Sequence, residues 1–130
     1  MALTLPVHAY MPAILSAIGR RRLTCIRGET GCGKSSEIPL AIVRDAMAQG
    51  GKAAREVNVI VTQPRRLAAR ALASRVASLL GEPVGHTCGY RVGDGEGESG
   101  PKTRLLFVTS GWLLTRWGLT PPSCTWRQSL

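Results

Sequence analysis

The sequence predicts an α/β fold in which a parallel sheet is flanked by helices, and three observations carry that prediction. Helix-like and strand-like stretches alternate along the 130 residues, the order that a parallel sheet with crossover helices requires. The strand-like stretches are short apolar runs, as in strands buried on both faces. A glycine-rich turn, Gly28-Glu29-Thr30-Gly31-Cys32-Gly33-Lys34-Ser35, lies between the first such run and a helical stretch.

Each element has its own justification. Ile14, Leu15 and Ile18 give residues 8–19 an apolar helical face, and Gly19 followed by Arg20-Arg21-Arg22 ends that helix. Residues 23–27, LTCIR, read as a short buried strand leading into the glycine-rich turn. A helix follows from about Lys34 to Gln49, with Pro39 early enough for its missing N–H to cost little. Residues 50–56 are a polar connection. Residues 57–62, VNVIVT, read as a second buried strand on their three valines and one isoleucine. A long helix then places Leu67, Ala71, Leu72, Val76 and Leu79 on one side and stops at Gly81 and Pro83. A short extended piece at 87–92 and a glycine-rich loop precede a third strand, RLLFVT at 104–109. SGWLLTRW starts the last helix.

Composition narrows the functional classes. A hydrophobic fraction of 44% supports one domain with a core. Seventeen Lys+Arg against eight Asp+Glu give a net charge of +9, carried mostly by arginine, which favours phosphate-bearing partners and nucleic acid first among them. The four cysteines form no C-x-x-C pair and no His stands at zinc spacing, so neither a disulfide framework nor a zinc site is expected. No apolar run is long enough to span a bilayer, and the N-terminus lacks a cationic leader with an apolar block. The expected setting is intracellular, in nucleus or cytoplasm, without a membrane partner.

Gly28 to Ser35 satisfies G-x-x-x-x-G-K-[ST] in full, with a strand expected before it and a helix after it. Glycines allow successive backbone N–H groups to curl round a phosphate, and the helix N-terminus adds partial positive charge. Lys34 is expected at the β- and γ-phosphates of a nucleoside triphosphate, and the Ser35 hydroxyl on Mg²⁺. Glu29, Thr30, Cys32 and Ser36 complete the cofactor-binding set. Guanine recognition through Asn-Lys-x-Asp is disfavoured, since the only asparagine, Asn58, precedes Val59.

Three collinear segments, GETGCGKSSEIP, VTQPRRLAARALASRVASLLG and LLFVTSGWLLTR, resemble the first RecA-like domain of DEAH-box RNA helicases, over roughly residues 5–117. The resemblance implies ATP, or another nucleoside triphosphate, with Mg²⁺ at residues 28–35. It implies sequence-independent RNA backbone contacts from Gln63, Pro64, Arg65 and Arg66 and from Thr109, Ser110 and Gly111. It also implies that Arg75 stacks on the adenine, whose other face a second RecA-like domain would cover. CGYRVG matches the family's Gly-Tyr segment at Gly89 and Tyr90 and departs after them. Read from the residues alone, a strand ending in Gln-Pro-Arg-Arg places two guanidinium groups at the C-terminal edge of a parallel sheet, where such sheets bind ligands.

The departures matter equally. None of the eight acids follows an apolar strand and none lies beyond residue 98, so the Asp-Glu-x-His segment that the resemblance calls for is absent. The expected organisation is an incomplete RecA-like P-loop NTPase domain at 1–117 and a divergent tail at 118–130, as from an altered splice, a frame shift or a truncated gene. The expected function is that of a helicase fragment that binds ATP and RNA and is inactive alone as an NTP hydrolase. A stand-alone nucleotide- or RNA-binding competitor and a nonfunctional product are the alternatives.

Overall fold

The computed structural model describes residues 5–119. Pro6–Tyr10 form a 3-10 helix and α1 spans Met11–Arg20. The helix expected at 8–19 is thus divided: Tyr10 has φ −103° and ψ −1°, off the helical ladder, and Pro12 re-starts the chain in the first turn of α1, where no N–H is needed. Helix α2, Lys34–Gln49, ends at Gly50, and α3, Gly51–Glu56, occupies what the sequence marks as a polar connection. Its two alanines favour helix, and Lys52 pairs with Glu56 one turn away at 3.8 Å. Strand β1 is Val59–Gln63, α4 is Arg66–Leu80, β2 is Cys88–Val92, β3 is Glu96–Glu98, β4 is Leu105–Thr109 and α5 is Ser110–Leu119. The divergent tail expected at 118–130 lies outside the described residues from 120 onward.

The four strands form one sheet in the order β1-β4-β2-β3. Strand β4 is parallel to both β1 and β2, while β3 turns back against β2 as an antiparallel hairpin. This is a mixed α/β fold with a mostly parallel sheet flanked by helices. The hairpin accounts for the glycine-rich stretch after residue 92, which the sequence marks only as a loop.

One expected strand is absent. Residues 23–27 form no regular element and join no ladder, and Leu23 is 79% exposed. The apolar β-branched composition of LTCIR encodes an extended backbone, yet a strand also needs a neighbour. β4 already has a partner on each side, and the free edge of β1 does not pair with this segment.

The core gathers on the face of the sheet that carries Val59, Leu105, Phe107, Cys88 and Tyr90, which share a side because Val59, Leu105 and Cys88 are register partners, as are Tyr90 and Phe107. Leu40 and Val43 of α2 and Ala69, Ala73 and Val76 of α4 close over it. The buried stripe of α4 is therefore not the one the large side chains mark. Leu67 is 80% exposed and Ala71 is exposed, whereas Ala69, Ala73 and Ala77, spaced one turn apart, are buried. Small residues bring the helix close to the sheet, and sequence hydrophobicity undervalues them. Cys88 donates its Sγ–H to the Ala73 carbonyl at 3.7 Å, and burial, aided by the negative Glu82, pushes its thiol up to about 12.

This packing predicts that Ala73→Leu, which forces three extra carbons between α4 and the sheet, destabilises the fold by about 1–3 kcal/mol. Leu67→Ser on the exposed side is expected to change stability by less than about 0.5 kcal/mol. Urea denaturation of the two variants beside the parent chain checks both.

Candidate functional site

Gly28 to Ser35 forms the link between the unpaired segment at 23–27 and α2. The turn depends on two glycines with positive φ, Gly31 at +83° and Gly33 at +99°, a conformation that L side chains rarely adopt. Gly33 is the residue before α2, and its carbonyl accepts the Glu37 N–H at 2.8 Å, the first turn of the helix. The Cys32 N–H donates to the Glu29 carbonyl at 3.3 Å and tightens the loop.

Lys34 reaches back across this loop. Its Nζ donates across the loop to the carbonyls of Gly28 and Glu29, the latter at 2.9 Å, and lies 3.5 Å from Cys32 Sγ. A cation is thus held inside a ring of main chain at a helix N-terminus, on neutral acceptors that anionic oxygens could replace. The Ser35 side chain is exposed and makes no hydrogen bond among the described residues, while Ser36 is buried. Beside the loop lies a cavity of about 670 Å³, lined by Ile14 and Ala17 of α1, by Thr24 and Ile26 of the unpaired segment, and by Lys34. The buried Thr24 Oγ1 has no hydrogen-bond partner.

The two arginine- and hydroxyl-bearing motifs come together at the C-terminal edge of the sheet. Gln63 and Thr109 end adjacent parallel strands as register partners, so Pro64-Arg65-Arg66 and Ser110-Gly111 leave the sheet side by side. Arg65 is exposed, with extended backbone as it enters α4, and makes no side-chain bond among the described residues. Arg66 differs: its guanidinium lies against Gly93 in the β2–β3 turn, where an added Cβ would stand 2.6 Å from Nη2. Thr109 Oγ1 accepts the Gly93 N–H at 3.3 Å, so the hairpin turn rests on both motifs. Ser110 and Gly111 are exposed at the start of α5.

Arg75 stands apart. It is exposed on α4, nine residues or about 13 Å along the helix from Arg66. No hydrogen bond or ion pair joins it, or either strand-end motif, to the glycine-rich loop among the described residues. All eight acids are described. Only Glu96 and Glu98 lie on a strand, and that strand is the sheet edge opposite β1. No group of three or more His, Cys, Asp or Glu able to hold a metal occurs among the described residues.

The sequence reading missed the support beneath the loop. The Val7 N–H donates to the Cys32 carbonyl at 3.3 Å, and His8 Nε2 lies 3.0 Å from Glu37 Oε2. The 3-10 helix therefore backs the loop on one side and α2 on the other. Nothing in the spacing of Val7, His8 and Glu37 signals this, because the contact joins residues 29 apart.

No family model matches the chain. Over 113 residues it is 42% identical to the DExH-box ATP-dependent RNA helicase DExH3 of Arabidopsis thaliana, covering 87% of this chain and 9% of that one. Over 117 residues it is 39% identical to the ATP-dependent RNA helicase dhx29 of Xenopus laevis, covering 86% of this chain and 8% of the relative. The crystal structure of the Escherichia coli DEAH/RHA helicase HrpB superposes with a TM-score of 0.70 at 39% identity, over 86% of this chain and 13% of that one. The chain is homologous to the DEAH/RHA-type superfamily 2 RNA helicases. The helicase homology covers most of this chain and a small fraction of the full-length relatives, and the mostly parallel sheet matches part of a RecA-like P-loop NTPase domain. No helix among the described residues is long and apolar enough to cross a membrane.

The loop geometry makes a graded prediction. Gly33→Ala meets strain at φ +99° and contacts of 2.9 Å to Leu5, 3.0 Å to Glu37 and 3.1 Å to Val7, so it is expected to destabilise the protein by about 2 kcal/mol or more. Gly31→Ala has the strain alone, with nothing within 4 Å, and is expected to cost about 1–2 kcal/mol. Thermal unfolding ranks the two.

Proposed function

We propose that this chain is a partial first RecA-like domain of an ATP-dependent RNA helicase, holding Mg-ATP at residues 28–36 and the RNA backbone at the C-terminal edge of its sheet. The observation that carries the reading is the loop itself: a complete G-x-x-x-x-G-K-[ST] turn with Lys34 reaching across it at the start of α2, in a chain homologous to RNA helicases. The family homology implies ATP and Mg²⁺ use, and the residues present fit both. On this reading Lys34 exchanges the Gly28 and Glu29 carbonyls for the β- and γ-phosphate oxygens, which make stronger, charge-assisted bonds. The loop amides from Glu29 to Lys34 close round the β-phosphate, Ser35 offers its hydroxyl to Mg²⁺, and Arg75 offers a flat cation to the adenine. When bound, Mg²⁺ neutralises charge between the β- and γ-phosphates.

On the same reading Gln63, Arg65, Ser110 and the amides at the start of α5 meet phosphate and sugar rather than base edges, which gives binding without sequence preference. Arg66 contributes by holding the β2–β3 turn as well as by its charge. Residues 1–117 act as the binding unit.

Binding without turnover is the expected behaviour of the chain as it stands. No strand-end carboxylate lies at the loop to orient water, and an arginine supplied in trans is worth about 10³–10⁵ in rate in related P-loop systems. Isothermal titration is expected to show Mg-ATP binding that Lys34→Ala abolishes, with phosphate release at the level of that control even when RNA is present. RNA-stimulated release that disappears in Lys34→Ala would overturn the reading.

RNA binding is expected to be salt-sensitive and indifferent to sequence. Each phosphate contact on a single strand contributes about 0.7 to the slope of log K against log salt. Arg65→Ala is expected to reduce the slope by about that amount with an unchanged melting temperature, because Arg65 has no structural partner. Arg66→Ala is expected to reduce both, since it also frees the hairpin turn. Fluorescence anisotropy at a series of salt concentrations reads the slopes.

A further inference from the structure

The residues ahead of α1 form a brace under the phosphate loop, fastened by one side-chain bond. Leu5 and Val7 fill the space beside Gly33 that a side chain there would need, with their methyl carbons 2.9 and 3.1 Å from its missing Cβ. The Val7 N–H holds the Cys32 carbonyl, which fixes the peptide joining the two residues at the bend of the loop. Among the described residues, one side-chain hydrogen bond ties this brace to α2, that between His8 and Glu37.

The direction of that bond follows from its surroundings. His8 Nδ1 accepts the Leu5 N–H at 3.2 Å, so in the neutral ring the proton sits on Nε2 and points to Glu37 Oε2 at 3.0 Å. Glu37 is 9% exposed and has no other side-chain partner among the described residues. It stands in the first turn of α2, three residues beyond Lys34, on the helix end whose free N–H groups face the loop. A carboxylate there without a donor would be both desolvated and repulsive to an incoming phosphate.

We infer that His8 and Glu37 are positioning residues for phosphate binding: their hydrogen bond clamps the brace to α2, and the brace holds the Cys32-Gly33 peptide at the bend of the loop. Neither side chain touches the nucleotide on this account. The inference rests on the reading of the loop as a phosphate site and adds to it the residues that determine its affinity from below.

The test uses the 130-residue chain with Mg-ATP and with inorganic tripolyphosphate, which lacks a base and reports the loop alone. His8→Ala is expected to weaken both ligands by the same factor, about tenfold, the scale of losing one hydrogen bond to a charged group. Glu37→Gln is expected to bind nearly as the parent does, because an amide oxygen still accepts the Nε2 proton. Glu37→Ala is expected to weaken both ligands too, by less than His8→Ala, which in addition leaves an unpaired carboxylate beside the loop. Long-range ¹H–¹⁵N spectra should show His8 as the Nε2–H tautomer in the parent and in Glu37→Gln. The chain has two histidines, so His86→Gln assigns the signal.

The ways of failing are distinct. A parent chain that binds no tripolyphosphate overturns the phosphate reading and the positioning role with it. A parent that binds while His8→Ala binds equally well, even at a lower melting temperature, overturns the positioning role alone. Loss of affinity in Glu37→Gln as large as in Glu37→Ala would show that the carboxylate acts through its charge rather than as the acceptor for His8.

Discussion

Strand β4 is the member of the described sheet with a parallel neighbour on each side, and the other elements take their places from it. Leu105 and Phe107 are fully buried beneath α2 and α4, while Val108, equally buried, faces the other way. Register with β1 sets Gln63 beside Thr109, and register with β2 sets Tyr90 beside Phe107. The placing of two polar motifs at one sheet edge is thus a by-product of apolar packing five residues deep. Hydrogen-bonded register converts burial of Phe107 into the position of Thr109, because neighbouring strands cannot slip by one residue without turning their core faces outward.

What the sequence reveals depends on whether the cause is local. The loop is legible because backbone turns with positive φ need glycine and a phosphate site needs a lysine and a hydroxyl at fixed offsets, all within eight residues. β1 is legible because Val59, Ile60 and Val61 state their preference without help. Residues 23–27 are misleading: their composition favours a strand locally, but a ladder partner is a property of the rest of the sheet. On α4 the leucines attract the eye, yet Ala69, Ala73 and Ala77 set the contact, since close approach depends on the space that small residues leave. The Val7, His8 and Glu37 support is invisible in the sequence because its bonds join residues far apart along the chain, His8 and Glu37 being 29 apart.

The arginines divide into two kinds that charge counting treats as one. Arg91 donates to Ser99 and to the Gly95 carbonyl, both at 2.9 Å. Arg70 lies 5.6 Å over the Tyr90 ring and 3.9 Å from Glu96, Arg66 rests on Gly93, and Arg44 donates to the Leu79 carbonyl at 3.2 Å. These guanidinium groups fasten the hairpin and the helix pair. Arg65 and Arg75 have no such duty. Net charge alone does not separate the two kinds, and the cations without a structural partner are the better candidates for meeting an anion.

The unpaired stretch ahead of the loop has a mechanical consequence. Residues 23–29 have no hydrogen bonds to the sheet, so no ladder ties the glycine-rich loop to β1 or β4, and the loop is held instead between the 3-10 helix and α2. The sheet edge and the loop belong to separately anchored parts, with α2, packed against both, as the connecting lever. Local opening of one can occur at a free energy unrelated to that of the other. Among the described elements α2 touches the 3-10 helix behind the loop as well as β1 and β4, so a displacement of the loop reaches the sheet most directly through that helix, whose ladder Pro39 interrupts.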